Sequence, residues 1–227
     1  MSAPNEHLER ELLALTDAKS VPGALVTLGL LPSTETPYHF DSVSEWARGG
    51  AETYVLYFSL CIGDQPPRGL LFKACAPFAM RPISEIFVEW LRRREILSRA
   101  GVSTPKLYGS GPAVLLEEYI PLTFTEALQN EELRPTLMER YGAYAAGLVV
   151  LGFKPISVHD LRSRGADVVA IDFGEDLGGE RNHLWRPQED GPKMLFVRLL
   201  EDLGVLVTPE DKDALYTGFS NFMAAHT

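Results

Sequence analysis

Residues 152–177 read G-F-K-P-I-S-V-H-D-L-R-S-R-G-A-D-V-V-A-I-D-F-G-E-D-L, from Gly152 to Leu177. Within them Asp167-Val168-Val169-Ala170-Ile171 is a short β-branched run that suits a buried strand. The run delivers Asp172-Phe173-Gly174 at its end, with a second carboxylate at Asp176. A carboxylate fixed at a strand terminus, beside a glycine, is placed to hold a divalent cation against phosphate oxygens. A lone D-F-G string carries little information; here it follows Lys154-Pro155-x-Ser157 by about fifteen residues.

That order and interval resemble the catalytic loop and metal aspartate of protein kinases and aminoglycoside-phosphotransferase-like enzymes. In the resemblance Lys154-Pro155 matches K-P, Ser157 stands where the metal-binding asparagine belongs, and Asp172 is the metal ligand. The catalytic aspartate falls on Gly152, preceded by Val150-Leu151 instead of His-Arg or His-Gly. A second register takes His159-Asp160 as the catalytic loop. Only 12 residues then lead from Asp160 to Asp172, and these must supply a loop, two strands and a turn. Gly165 stands five residues after Asp160, where an asparagine is needed, so the first register is preferred.

Outward from this stretch, the 227 residues are enough for one large domain or two small lobes. Apolar residues make up 45% and charged ones 23%, as in ordinary globular chains. The net charge of −10 argues against sequence-independent nucleic-acid binding, which needs a basic surface. Cys61 and Cys75 lie in apolar strand-like runs and fit buried, reduced thiols in the cytoplasm. No apolar run reaches the ~18 residues of a membrane span, and the polar N-terminus does not read as a secretory signal.

Residues 5–18 and 20–31 read as two short helices, and residues 1–37 as an N-terminal helical extension for packing or partner contact. Strands follow at about 40–47, 52–61 and 69–75, the first two joined by Arg48-Gly49-Gly50-Ala51. Glycines there also allow backbone N–H groups to approach a phosphate. The third strand sets Lys73 alone in an apolar run, where a buried cation needs a designated partner. The helix at 82–99 offers Glu85, Glu89 and Glu95; the interval that the resemblance implies selects Glu89.

The resemblance makes Lys73 the lysine that grips the α- and β-phosphates, and Gly49 and Gly50 the phosphate-approaching turn. It makes 113–121 the last sheet strand and hinge, with backbone groups around Glu118 to Ile120 meeting the adenine edge. A long helix at 131–150 and helices near 192–203 and 208–224 complete a minimal lobe. The expected fold is therefore α+β, a two-lobed protein-kinase-like fold with an antiparallel-sheet N-lobe over 38–121. A reduced helical C-lobe is expected over 122–227.

The resemblance implies an ATP- and Mg²⁺-dependent phosphotransferase. Lys73 would orient phosphates, Asp172 would bind the metal with Ser157 as a weaker ligand, and Lys154 would neutralise the γ-phosphate. Gly152 in place of the base equally suits a pseudokinase acting as a nucleotide-responsive or structural module. Transfer of another part of the nucleotide, such as AMP, is a third reading. The acceptor, small molecule or protein, is not legible; Glu175, Asp176, Glu180, Glu189 and Asp190 would suit a cationic one.

Overall fold

A computed structural model of the chain describes residues 10, 13–14, 21–45, 47–48, 53–76, 83–155, 160–172, 177–178 and 191–226. The fold is α+β, in two compact units: residues 1–91 with 105–119, and residues 92–104 with 120–227.

The first unit opens with α1 (Val21–Thr27). Gly29, at φ 68°, ends it in the left-handed region that favours glycine. The N–H of Leu30 reaches back to the Leu25 carbonyl and that of Gly29 to Val26, the paired bonds that close a helix C-terminus. The chain then forms β1 (Tyr38–Val43), β2 (Ala47–Arg48), β3 (Thr53–Ile62) and β4 (Arg68–Cys75). The strand expected at 40–47 is thus two pieces on the same edge of β3. At the break, the Ser44 hydroxyl accepts the N–H of Tyr57 at 2.9 Å and keeps the ladder satisfied.

Helix α2 (Ile83–Arg99) follows, its residues 83–91 falling in the first unit and 92–99 in the second. Two further strands, β5 (Leu107–Ser110) and β6 (Val114–Glu118), complete an antiparallel sheet in the order β1-β3-β4-β6-β5, with β2 beside β3. Strand β5, not expected from the sequence, is held at the edge by β6.

Strand alternation gives this sheet two unlike faces. One carries Leu56, Phe58, Leu60, Leu70, Phe72, Val114 and Leu116, all buried against Val21, Leu25, Leu28, Leu30 and Leu31. Residues 21–31, read as part of an extension, are therefore a wall of the first unit's core. The other face carries Tyr57, Leu71, Lys73, Leu115 and Glu117, with Trp90 of α2 against Lys73.

In the second unit, α3 (Phe124–Ala127) is started by a reciprocal capping box between Thr123 and Glu126. Helix α4 (Arg134–Leu151) is buried along most of its length, with Tyr141 donating a hydrogen bond to the Phe196 carbonyl at 3.0 Å. It leads into β7 (Lys154–Pro155), then the hairpin β8 (Leu161–Arg164) and β9 (Asp167–Ala170), and β10 (Leu177–Gly178), which pairs with β7. Helices α5 (Gly191–Glu201) and α6 (Pro209–His226) close the unit. The crossing of α4 and α6 is set by glycine. A Cβ on Gly142 would overlap the Leu215 carbonyl, and one on Gly218 the Glu139 carbonyl. The Arg134 guanidinium grips the Asp211 carboxylate at 2.7–3.1 Å near the same ends of these helices.

Candidate functional site

Lys73 is the cation that the sequence singled out, and its surroundings follow from sheet register. On β4 it pairs with Val55 on one side and Leu115 on the other; Leu71, two residues earlier, pairs with Glu117. Lys73 and Glu117 are therefore diagonal neighbours on one face, within reach of long side chains. The Lys73 Nζ lies 2.7 Å from Glu117 Oε1, with side chains 11% and 1% exposed. The same Nζ sits 5.2 Å from the centre of the Trp90 ring, within cation–π range.

Glu117 was not among the expected residues. A weaker signal was present: it is a carboxylate directly after the apolar run Val114-Leu115-Leu116, whereas Lys73 is a cation inside its own run. Glu89, expected beside Lys73, is half-buried on α2 next to Trp90. One row along the sheet face, the rings of Tyr57 and Tyr119 meet at 4.1 Å, and Tyr119 lies over Gly69.

Glu118 and Tyr119, at the positions expected to form a hinge, are hydrogen-bonded to Lys106 and Gly69. The Glu118 N–H donates to the Lys106 carbonyl at 2.8 Å, and the Glu118 carboxylate accepts the Lys106 N–H at 3.0 Å. The Tyr119 N–H donates to the Gly69 carbonyl at 3.0 Å, and Ile120 is buried.

In the second unit, the backbone explains Gly152. It is the left-handed cap of α4 at φ 73°, with its N–H and that of Phe153 returning to Val149 and Leu148. A glycine here stops the helix, so the position expected for a catalytic aspartate has a structural reason to lack a side chain. Lys154 lies on β7, opposite Gly178 of β10.

Asp160 directly precedes β8 and Asp172 lies two residues past β9. The Ile171 N–H donates to the Asp160 carbonyl at 3.1 Å, so both aspartates stand at the open end of one hairpin. Both are half-buried. Burial, and after it the negative charge of Asp160, hold the Tyr144 phenol well above its ordinary pKa, which sets Asp160 near that buried ring. Because β8 starts at Leu161, no residues remain for a loop after Asp160, as the second register would need. Two carboxylates offer the hard oxygen donors that suit Mg²⁺. Among the described residues there is no group of three or more histidine, cysteine, aspartate or glutamate side chains suited to a metal.

Gly49, Gly50, Ser157, His159, Phe173, Gly174, Glu175, Asp176, Glu180, Glu189 and Asp190 lie outside the described residues. Cys61 and Cys75 remain thiols. Among the described residues no helix is long and apolar enough to cross a membrane. No protein-family model matches the chain, and no curated protein matches it.

Proposed function

We propose that this chain binds ATP with Mg²⁺ through a two-lobed, kinase-like fold and acts as an atypical phosphotransferase on a small-molecule or protein acceptor. The observation that carries the reading is the buried ammonium of Lys73, held in mid-sheet by Glu117 at 2.7 Å. Such a pair contributes little net stability, so its placement suits reception of an anion better than folding.

In this reading Lys73 neutralises phosphate oxygens. Asp172 and Asp160 are the carboxylates for Mg²⁺, which supplies charge neutralisation of the phosphates when bound. Lys154 serves the γ-phosphate, and Ser157 remains the weaker ligand implied by the resemblance. Phosphoryl transfer depends chiefly on positioning and electrostatics, so a slow reaction survives without a dedicated base, whose contribution is typically about 10²–10⁴-fold.

A second reading, a pseudokinase that binds nucleotide without turning it over, is favoured by Gly152. Its left-handed φ of 73° and its capping bonds suit glycine better than aspartate.

Purified protein incubated with γ-labelled and α-labelled ATP and Mg²⁺, beside Lys73→Ala and Asp172→Ala, separates the two. Label transfer that both substitutions abolish is the expected result. Nucleotide-dependent stabilisation without any turnover would leave the pseudokinase, and absence of nucleotide binding would remove both readings.

A further inference from the structure

Glu117 occupies a position from which it can do one thing well. Its backbone is paired on both sides, to Leu71 and to Leu107, so its Cα is fixed within the sheet. Its side chain is 1% exposed, while that of its partner Lys73 is 11% exposed. Of the two side chains, Lys73 therefore keeps the larger share of accessible surface. A lysine ammonium on a four-carbon stem is otherwise mobile, and entropy is lost when a ligand must immobilise it. Here a carboxylate oxygen at 2.7 Å and the Trp90 ring at 5.2 Å already define where the charge stands. An apolar pair of similar size would usually serve stability as well or better.

We infer that Glu117 is the positioning residue for Lys73: from β6 it holds the ammonium ready for the phosphate chain of a nucleotide. This rests on the ATP-binding reading above. Glu117 acts through Lys73 and touches no phosphate itself. Lysine has three N–H donors, so carboxylate and phosphate oxygens can be held together and nucleotide binding need not break the pair.

The test is calorimetric binding of Mg–ATP and of adenosine to the full chain, as wild type, Lys73→Met, Glu117→Gln and Glu117→Asp. Glu117→Gln keeps the shape and removes the charge. Glu117→Asp keeps the charge and withdraws it by one methylene, and it carries the test should Glu117→Gln lose its fold by circular dichroism. The expected result is a loss of about tenfold or more in Mg–ATP affinity for both Glu117 variants, with adenosine held within about twofold of wild type.

A purely structural role would move both ligands together, and that result overturns the inference. So does an unchanged Mg–ATP affinity, or a gain, which would make Glu117 a competitor for Lys73. Wild type binding Mg–ATP with Lys73→Met impaired upholds the nucleotide reading whatever the Glu117 variants do. A wild type that binds no Mg–ATP removes that reading and this inference with it.

Discussion

Gly142→Ala is expected to destabilise the helical unit although alanine is the better helix former. Gly142 lies in α4 where α6 crosses it. An added Cβ would overlap the Leu215 carbonyl oxygen and come within 2.8 Å of its carbon and 2.9 Å of the Phe219 nitrogen. Ordinary contact needs about 3.5–4.0 Å, so the helices must part by roughly 1 Å. Overpacking costs about 1–3 kcal/mol, and the obstructing atoms are backbone, which cannot swing aside. The gain in helix propensity returns about 1 kcal/mol. The net loss is up to about 2 kcal/mol, or a fall in Tm of up to about 8 °C for a chain of this size. The assay is thermal and urea unfolding followed by circular dichroism, with Gly23→Ala as control. Gly23 lies in α1 with nothing within 4 Å of an added Cβ, so alanine there should stabilise by up to about 1 kcal/mol. Gly218→Ala meets the Glu139 backbone at the same crossing, so the double substitution should cost less than the sum of the two. A Gly142→Ala protein that melts at or above the wild-type temperature would refute the reasoning.

Removing residues 1–31 should leave the sheet unit unable to fold, because Val21, Leu25, Leu28, Leu30 and Leu31 seal one of its faces. At about 1.5–3 kcal/mol for each buried side chain, the loss rivals the whole stability of a domain. Soluble yield and the dispersion of an NMR spectrum check this, and a well-folded truncation would contradict it. Asp211 predicts an acid limb. Burial pushes its carboxyl up, but the hydrogen bonds from Arg134 and the Thr208 N–H pull it further down, to a net value below the ordinary one. A depressed carboxyl stabilises the fold above its unfolded pKa, about 3.9, and loses that contribution as pH falls through the lower folded value. Melting curves over acidic pH should therefore show a decline that Asp211→Asn flattens; an unaltered decline would count against the clamp.

Much of this architecture is written in local pattern. The apolar spacing of α2, the N-cap Thr208 before Pro209, and the β-branched run at 167–170 each specify an element without help from distant residues. Strand β5 escaped because Leu107-Tyr108-Gly109-Ser110 has turn chemistry and becomes a strand only through β6. Strand β8, Leu161-Arg162-Ser163-Arg164, alternates correctly, but its inward Ser163 conceals the pattern. That serine is satisfied by donating to the Gly165 carbonyl at 2.7 Å, a contact no composition reveals. At the candidate site, Lys73 stood out as a charge in an apolar run. Its partner Glu117 is forty-four residues away and becomes a neighbour only through β4–β6 register, which spacing along the chain does not encode. Gly152 read as a lost aspartate until its dihedral gave it a second meaning.

The order β1-β3-β4-β6-β5 has a consequence for how the chain is made. Strand β6, which lies between β4 and the edge strand β5, leaves the ribosome last of the six. While residues 76–113 are being added, about 2–8 s at ordinary elongation rates, the outer edge of β4 has no partner. The backbone N–H and C=O groups of Leu70 to Ala74 that β6 will pair then form a raw hydrogen-bonding edge, open to pairing with another chain.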